Sequence, residues 1–349
     1  MSFKIRDYSL GGFDFNDASI LVTGGTGSFG KNFVRYLLEH YKPRRLVIFS
    51  RDELKQFEMA QELPESKYPC LRYFIGDVRD QARLEMAMKG VEYVVHAAAL
   101  KQVPIAEYNP FECIHTNVIG AENVAQAAIR AGVKRVVALS TDKAANPINL
   151  YGASKLASDK IFVAANHLSG ADGTRFSVVR YGNVVGSRGS VVPFFRKLIA
   201  DGWDYIPITH EDMTRFWITL EQGIELVVSS FKLMHGGEIF IPKIYSMKVT
   251  DLAAAVAPNL PTRVIGIRPG EKLHEVMVSV DDARNTIELD DRYVIEPAFS
   301  GWRGPGGGIV GKPVDPNFEY SSNNNSEWLS IEDFHEVLKI ADSTGKRDL

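Results

Sequence analysis

Residues 20–30 constrain the fold more than any other stretch of this chain. An apolar run at 20–23 is typical of a buried strand, and Gly24, Gly27 and Gly30 follow it directly, leading into a helical pattern. The first glycine allows a tight turn, the second lets a ligand approach the backbone, and the third lets the helix pack close to the strand. This strand–turn–helix unit predicts a parallel α/β sheet whose first helix points its N-terminus at the phosphates of a dinucleotide.

Strand-like and helical segments alternate through the first half of the chain. The segments that read as strands lie at 45–50, 71–76, 93–97, 136–140 and 176–181. This alternation predicts an α/β fold with a doubly wound parallel sheet, the Rossmann architecture. The predicted organisation is a lead-in at 1–18, a dinucleotide-binding domain at 19–182, a smaller, mainly substrate-binding domain at 183–300 with part returning to the sheet edge, and a Gly-rich loop with a C-terminal helix at 301–349.

Composition excludes several classes of partner. The 349 residues are 45% hydrophobic and 24% charged, which is typical of a soluble globular protein with a large core. The net charge is −3 with acids and bases mixed, so we expect neither nucleic-acid nor membrane binding. Two cysteines suggest no disulfide framework, and no apolar run reaches membrane-spanning length, so we expect a cytoplasmic protein. We expect no metal site, because His274-Glu275 lacks the second histidine of a zinc helix.

Tyr151 and Lys155 form the second informative pattern. They are four residues apart, so on a helix beginning near 150 they share one face. A tyrosine with its ordinary pKa of about 10 is a poor base, but a nearby ammonium or a positive nicotinamide favours the phenolate. The pair is then suited to take a proton from a substrate hydroxyl while hydride leaves the same carbon. With 13 tyrosines in the chain, this spacing also occurs by chance, so its position beside a strand end carries the argument.

Thr141, Asp142 and Lys143 follow the predicted strand at 136–140. The carboxyl ends of parallel strands form the ligand-binding edge of an open α/β sheet. The sequence alone leaves two interpretations open for Asp142 and Lys143: a capping residue with a solvated neighbour, or an acid and a base that face a substrate. The glycine motif favours the second interpretation.

The end of the second strand indicates which dinucleotide is bound. An NAD site usually places an acidic residue here against the ribose 2′-hydroxyl. This chain has Ser50 and Arg51 instead, with Lys55 a turn later, which suits a 2′-phosphate and predicts NADP(H). Asp52 is the exception, since its carboxylate would oppose this assignment if it turned inward.

Other strand ends supply further candidates. Asp77 and Val78 are expected near the adenine, and the small residues Ala97, Ala98 and Ala99 either let the backbone run beside the cofactor or merely allow close packing. Lys101 either reaches a phosphate or lies on the surface, and Asn117 is either a polar core residue or a proton-relay member. The charged turn at 265–272 either clamps a nucleotide diphosphate or is a solvated loop.

Together these motifs resemble the extended short-chain dehydrogenase/reductase family and, within it, the inverting UDP-N-acetylglucosamine 4,6-dehydratases. The resemblance covers roughly residues 19–298 and rests on the glycine motif, on Tyr151 and Lys155, and on four further stretches. These stretches are STDKAANP at 140–147, RYGNVVGSRGS at 180–190, MTRFW at 213–217 and the turn at 268–274. The retaining 4,6-dehydratases differ, because they carry Asp-Glu where this chain has Asp142-Lys143.

The resemblance implies bound NADP(H), a UDP-sugar substrate and a homo-oligomer, either a dimer or a hexamer. It implies C4 oxidation by Tyr151 and Lys155, removal of the C5 proton by a neutral Lys143, loss of the 6-hydroxyl helped by a protonated Asp142, and hydride return to C6. Such enzymes begin pseudaminic acid and related surface-sugar pathways.

The residues assigned to these roles fall into three groups. The catalytic residues are Thr141, Asp142, Lys143, Tyr151 and Lys155. The cofactor-binding residues are Gly24, Thr26, Gly27, Ser28, Phe29, Gly30, Ser50, Arg51, Lys55, Asp77, Val78, Ala97, Ala98, Ala99, Lys101, Tyr151 and Lys155. The substrate-binding residues are Lys101, Asn183, Arg188, Thr214, Arg268 and Glu271.

Two other functions fit part of the pattern. A nucleotide-sugar 4-epimerase shares the fold and the tyrosine–lysine pair, but it has no need of an acid–base pair at 142–143. A non-catalytic NADP-binding scaffold or sensor needs none of the reactive side chains, so their presence argues against it.

Overall fold

A ten-stranded sheet forms the centre of the protein. The computed structural model describes residues 4–10, 12–187, 189–299 and 308–345. The strands in chain order are β1 (Ser19–Thr23), β2 (Arg45–Ser50), β3 (Leu71–Ile75), β4 (Tyr93–His96), β5 (Arg135–Thr141), β6 (Arg175–Tyr181), β7 (Asn183–Val184), β8 (Ile206–Ile208), β9 (Thr214–Ile218), β10 (Ile239–Pro242), β11 (Tyr245–Lys248), β12 (Thr262–Val264), β13 (Val276–Val278), β14 (Thr286–Glu288), β15 (Arg292–Ile295), β16 (Lys312–Pro313) and β17 (Tyr320–Ser321).

Helices connect most of the strands. A π-helical turn (His115–Ile119) and a 3₁₀ turn (Asp142–Ala144) accompany the α-helices. The α-helices are α1 (Ser28–His40), α2 (Glu53–Glu62), α3 (Gln81–Met88), α4 (Val103–Tyr108), α5 (Pro110–Ile114), α6 (Gly120–Ala131), α7 (Leu150–Ser169), α8 (Val191–Ala200), α9 (Leu220–Leu233), α10 (Val249–Val256), α11 (Val280–Ala283) and α12 (Ile331–Gly345). None of the helices in the described part of the chain is long and apolar enough to cross a membrane.

The strand order confirms the doubly wound α/β prediction. The order of the main sheet is β16-β14-β15-β10-β6-β5-β4-β1-β2-β3. The strands from β10 to β3 in that order are all parallel to one another. At the other edge, β15, β14 and β16 each pair antiparallel with the strand before them. All five residues of β1 are buried, because helices cover both faces of the sheet. The carboxyl ends of β1, β4, β5 and β6 therefore meet at one edge, where open α/β sheets bind ligands.

The second half of the chain builds its own apolar core and also extends the main sheet. β7, β9 and β11 form a separate small sheet, and α8, α10 and α12 surround a core that includes Trp217 and Phe334. Their rings pack edge to face with centroids 5.6 Å apart. α9 begins with a capping box between Thr219 and Gln222, as the sequence predicts.

The segment before β1 packs into the core. Tyr8 and Phe15 are fully buried, and the Tyr8 hydroxyl donates to the Lys243 carbonyl at 2.6 Å. Arg6 forms an ion pair with Glu327 at 2.7 Å. The lead-in therefore links the core around the main sheet to the C-terminal half of the chain.

Two elements differ from the sequence predictions. Asn109-Pro110 is a typical N-cap and first turn, so the sequence predicts one long helix from there to Ala131. The structure interrupts this helix with the π turn at His115–Ile119, where the Asn117 side chain contacts the backbone of Leu100. Lys312–Pro313, expected to be loop, forms a short strand because it pairs with β14. Residues 300–307 of the Gly-rich segment lie outside the described residues.

Gly152 sets the distance between α7 and the 3₁₀ turn. A Cβ atom placed on Gly152 would lie 2.2 Å from the Lys143 carbonyl oxygen, closer than real contacts allow. The carbonyl oxygen belongs to the backbone and a Cβ atom is rigidly attached to the backbone, so no side-chain rotation can relieve the overlap. Only glycine lets the first turn of α7 lie this close to the turn that carries Lys143.

We expect Gly152→Ala to lower the free energy of unfolding by about 1–3 kcal/mol, because overpacking outweighs the better helix propensity of alanine. Gly223→Ala in α9 is the matched control, since its Cβ would meet only Tyr181 at 3.9 Å. The control should be neutral or slightly stabilising. Urea denaturation of both variants measures the difference, and equal stabilities would contradict the proposed contact.

Candidate active site

A cavity of about 620 Å³ opens at the carboxyl edge of the parallel strands. Twenty of the residues predicted for the site line it, contributed by the loops after β1, β2, β3 and β4, by β2, β5 and β7, by the 3₁₀ turn, and by α1, α2 and α7. They are Gly24, Thr26, Gly27, Ser28, Phe29, Gly30, Ser50, Arg51, Lys55, Asp77, Val78, Ala97, Ala98, Ala99, Lys101, Thr141, Lys143, Tyr151, Lys155 and Asn183.

The glycine turn has no room for larger residues. Gly24 has a φ of +63°, and a Cβ there would lie 2.8 Å from the Ala98 amide nitrogen. A Cβ on Gly30 would lie 2.5 Å from the Gly24 carbonyl oxygen. The turn therefore packs α1 tightly on β1 and exposes backbone amides at the helix N-terminus, which fits a phosphate group.

The end of β2 carries cations and hydroxyls. Thr26 and Ser50 hydroxyls lie 2.8 Å apart, and the half-exposed Arg51 guanidinium lies 3.6 Å from Asp77. The Asp52 carboxylate caps α2, accepting from the Lys55 amide at 3.0 Å and from the Lys55 ammonium at 2.5 Å. Hydrogen bonding with Lys55 lowers the pKa of Asp52. Lys55 is thus paired with a carboxylate, and Arg51 is the more available cation.

The loop after β4 is fastened at both ends. The Thr23 hydroxyl accepts hydrogen bonds from the amides of Ala97 and Ala98 at 3.2 and 3.3 Å. The Asn117 amide side chain accepts from the Leu100 amide at 2.8 Å and donates to the Leu100 carbonyl at 2.9 Å. Asn117 is therefore a buried residue that fixes the loop leading to Lys101. Burial lowers the pKa of the Lys101 ammonium.

Tyr151 lies on the cavity wall with 9% of its surface exposed. Burial raises the pKa of Tyr151 to about 12, while the Lys143 ammonium and a hydrogen bond with Thr141 act in the opposite direction. Lys143 is thus the strongest electrostatic partner of the phenol, which the sequence pattern of Tyr151 and Lys155 does not indicate.

Lys155 is almost fully buried below the cavity. Its ammonium donates to the Leu139 carbonyl at 2.6 Å. Burial lowers the pKa of Lys155, and the nearby Asp159 carboxylate opposes this effect. Asp159 accepts from the Ser140 hydroxyl at 2.8 Å and lies 3.3 Å from the Arg180 guanidinium. A buried ionic network therefore supports α7 beneath Tyr151.

Lys143 lies between two buried carboxylates. Its Nζ is 3.0 Å from Asp142 Oδ1 and 3.2 Å from Glu275 Oε1. Burial disfavours the ammonium, but the attraction of both carboxylates outweighs burial and raises the pKa of Lys143. These two contacts favour the ammonium form of Lys143, whereas the predicted removal of a C5 proton needs the neutral amine.

Asp142 is more deeply buried than direct contact with a substrate would require. Its side chain has no exposed surface and is not part of the cavity wall. Its Oδ1 accepts from the Thr141 hydroxyl at 2.9 Å. Asp142 therefore cannot contact a molecule in the cavity as it stands, and it acts on one only through Lys143 or Thr141.

The turn at 265–272 is fastened to the start of α7. Asn149, which caps α7, donates to the Gly270 carbonyl at 2.7 Å, and Lys272 donates to the Ala145 carbonyl at 2.6 Å. Arg268 and Glu271 lie on this turn beside the cavity but not on its wall, with Arg268 62% exposed. The turn at 265–272 is therefore held against the start of α7.

Two further predicted substrate residues have different positions. Thr214 is buried away from the cavity wall, in a hydrogen-bonded group with His274 and Ser322. Arg188 lies outside the described residues. The roles predicted for Arg188, Thr214, Arg268 and Glu271 in substrate binding stay predictions.

Sequence reasoning missed Glu275. It is buried and adjacent to β13, which the 3₁₀ turn contacts. Its sequence signal, an acidic residue after a charged turn, is too common to single out. The described residues contain no group of His, Cys, Asp and Glu that would hold a metal ion.

Comparison with known proteins identifies relatives over most of the chain. Residues 20–297 match the family model described as polysaccharide biosynthesis protein. A UDP-N-acetylglucosamine 4,6-dehydratase (inverting) from Campylobacter jejuni subsp. jejuni serotype O:2 is 58% identical over 330 residues, covering 93% of this chain and 98% of that protein. A UDP-glucose 4-epimerase from Rickettsia bellii is 39% identical over 331 residues, covering 93% and 96%.

A solved structure agrees with these matches. The X-ray structure of Pen from Bacillus thuringiensis superposes with a TM-score of 0.84 at 36% identity, covering 94% of this chain and all of that one. The resemblance to the inverting dehydratases inferred from the motifs is confirmed by the 58% identity. The chain belongs to the polysaccharide biosynthesis protein family.

Proposed function

We propose that the protein is an inverting UDP-N-acetylglucosamine 4,6-dehydratase. The observation that carries the proposal is that Lys143 and Tyr151 line the same cavity as a glycine turn at a helix N-terminus. The glycine turn fits a dinucleotide, and Lys143 and Tyr151 are two proton-transfer groups. The identity of the sugar rests on the similarity to the Campylobacter jejuni enzyme.

A bound nicotinamide would be held at the glycine turn and would supply the hydride chemistry, oxidation at C4 of the sugar and reduction at C6. Tyr151 takes the proton of the 4-hydroxyl, since it is the cavity-lining phenol on which the Lys143 charge acts, with Lys155 and Thr141 fixing its surroundings. The resulting 4-ketone acidifies the C5 proton. Lys143, once it has given up its own proton, removes that C5 proton and passes it to the departing 6-oxygen, which leaves as water. A proton that derives from solvent water is added to C5 from the opposite face and inverts that centre.

The product of this sequence is UDP-2-acetamido-2,6-dideoxy-β-L-arabino-hex-4-ulose. We place the enzyme in the cytoplasm at the start of pseudaminic acid or related surface-sugar synthesis, by its resemblance to enzymes of that class. A 4-epimerase is the second candidate, and the 39% identical Rickettsia bellii relative favours it. An epimerase needs only Tyr151 and Lys155, whereas the Lys143 ion pairs at the same wall favour dehydration.

Isotopic labelling tests the reaction. With UDP-N-acetylglucosamine deuterated at C4 and no added reductant, we expect a product one water lighter that carries the deuterium at C6. In heavy water, deuterium should enter at C5. Mass spectrometry and NMR of the product measure both. A product of unchanged mass would favour the epimerase, and the absence of any product would remove the proposal.

The Lys143→Ala variant tests whether Lys143 takes part in the dehydration. We expect dehydration to fall by about 10²-fold or more, the usual contribution of a general acid–base group. The exposed Lys160 on the same helix as Tyr151 provides the control, since Lys160→Ala should leave the rate unchanged. Full activity of the Lys143 variant would exclude it from the chemistry.

We propose NADP(H) as the cofactor. Ser50, Arg51 and Asp52 border the cavity, and the Asp52 carboxylate is engaged with Lys55 as the cap of α2, so the end of β2 offers a hydroxyl and a cation to a phosphate. A ribose 2′-phosphate suits that pair, because it needs positive charge and hydrogen-bond donors.

Arg51→Ala should therefore weaken NADP binding by about tenfold or more, the loss of one charge-assisted contact of roughly 1.5–3 kcal/mol. NAD binding should change little, because NAD has no 2′-phosphate. Calorimetric titration with both cofactors measures this, with the exposed Arg284→Ala as control. A wild-type preference for NAD, or equal loss of both cofactors, would contradict the assignment.

We also propose that the protein is a homo-oligomer, as the resemblance implies. α4 and α5 pack inward around Tyr151 and present large apolar side chains outward: Tyr108 is 87% and Phe111 74% exposed. An exposed apolar patch of this kind commonly marks an interface. A second copy seated here would rigidify the helices behind Tyr151.

Phe111→Glu should shift the protein towards monomers, because it would bury an unpaired charge in the interface. Light scattering after size-exclusion chromatography measures the mass. Phe194→Glu, at another exposed aromatic, is the control. A wild-type monomer would contradict the proposal.

A further inference from the structure

Glu275 is a buried carboxylate from the C-terminal half. It lies against the 3₁₀ turn that carries Asp142 and Lys143, here called the catalytic turn. Only 2% of its surface is exposed, and its Oε1 lies 3.2 Å from Lys143 Nζ. Its Oε2 has no hydrogen-bond partner among the described residues. A buried carboxylate with a free oxygen is costly unless it has a charge partner or receives a proton.

The backbone on both sides of Glu275 is firmly held. The Glu275 amide donates to the Ser322 hydroxyl at 2.9 Å, and its carbonyl accepts from the Ser322 amide at 2.8 Å. Two residues on, the Met277 carbonyl accepts from the buried Arg180 guanidinium at 2.9 Å. Glu275 is therefore fixed against the catalytic turn by β6 and by the chain after β17.

Lys143 is the one member of this group that reaches the cavity. Asp142 and Glu275 contact its Nζ from the buried side, and neither of them lines the cavity. A proton that moves between the cavity and Glu275 therefore passes through Lys143 Nζ, whereas Asp142 is also linked to the cavity by the Thr141 hydroxyl. Lys143 must also change from ammonium to amine before it can remove a proton from carbon.

We propose that Glu275 is a positioning residue for the dehydration, which holds Lys143 at the cavity wall and reversibly accepts its proton. In this transfer one Lys143 Nζ–H bond breaks and one Glu275 Oε1–H bond forms, so that an ion pair becomes an amine and a carboxylic acid. The reverse transfer restores the ammonium after turnover. The proposal rests on the proposed dehydratase function for its catalytic consequence.

Other charges facing Lys143 tune this exchange. Asp142 from the same turn favours the ammonium, and Arg215 from β9 opposes it. Lys272 also repels Lys143, while Tyr151 from α7 is the phenol on which the Lys143 charge acts. Arg215 lies 3.8 Å from the same Glu275 oxygen, and Lys272 lies 3.9 Å from the other. Two carboxylates and two further cations thus surround the exchangeable proton of Lys143.

The test compares Glu275→Gln with Glu275→Asp and with a matched control. Glutamine keeps the size and one acceptor oxygen but cannot take the proton, and aspartate keeps the charge at a greater distance. Glu238→Gln removes another buried carboxylate, which bonds Ser177 and backbone amides away from the cavity. The control therefore reports any loss that comes only from destabilisation.

The first measurement needs no substrate. The rate of Lys143 acetylation by acetic anhydride is followed against pH by peptide mass spectrometry. Glu275→Gln should move the midpoint down by about one pH unit or more, since one of two nearby carboxylates is gone. Glu238→Gln should not move it. An unchanged midpoint in Glu275→Gln, or an equal shift in the control, would overturn the proposal.

The second measurement is the dehydration rate. Glu275→Gln should lower kcat by about 10²-fold with KM changed by less than about threefold, because the lost step follows binding. Glu275→Asp should retain roughly a tenth of the wild-type kcat, because its carboxylate can still take the proton from a greater distance, and it carries the test alone if the glutamine variant does not fold. Wild-type kcat in either folded variant would overturn the proposal.

The two measurements separate this proposal from the proposed function. A wild-type protein that releases no water from UDP-N-acetylglucosamine refutes the dehydratase assignment. The acetylation midpoints still decide whether Glu275 controls the proton on Lys143.

Discussion

The ion pairs of Lys143 with Asp142 and Glu275 join the two halves of this protein. Asp142 and Lys143 follow β5 in the parallel sheet, whereas Glu275 comes from the second half, beside β13. An ammonium placed between two buried carboxylates is stable only while all three are present, since removal of one partner leaves an unpaired buried charge. The geometry of the cavity wall therefore depends on the docking of the C-terminal half.

The same arrangement links electrostatics to packing. The missing side chain of Gly152 lets α7 approach the Lys143 carbonyl, and this approach puts Tyr151 within reach of the Lys143 charge. Below them, Asp159 and Arg180 hold α7 and β6 through buried ionic contacts. Chemistry that depends on two proton-transfer groups is thus supported by backbone contacts that tolerate little movement.

Local patterns made much of the fold and part of the site predictable. The glycine turn, the alternation of strands and helices and the position of Tyr151 are all short-range signals, and strand ends of a parallel sheet necessarily meet at one edge. The contact of Glu275 with Lys143 was not predictable, because it joins residues far apart in the chain. The same distant contact raises the pKa of Lys143, so local sequence could not indicate which charge state the site favours.

The buried N-terminal segment has a consequence for how the chain assembles. Tyr8 and Arg6 have their partners at Lys243 and Glu327, which lie 235 and 321 residues further along the chain. Such long-range closure slows folding and leaves apolar rings without partners in the meantime. The Tyr8 ring therefore reaches its final position only after the segment that carries Lys243 has folded.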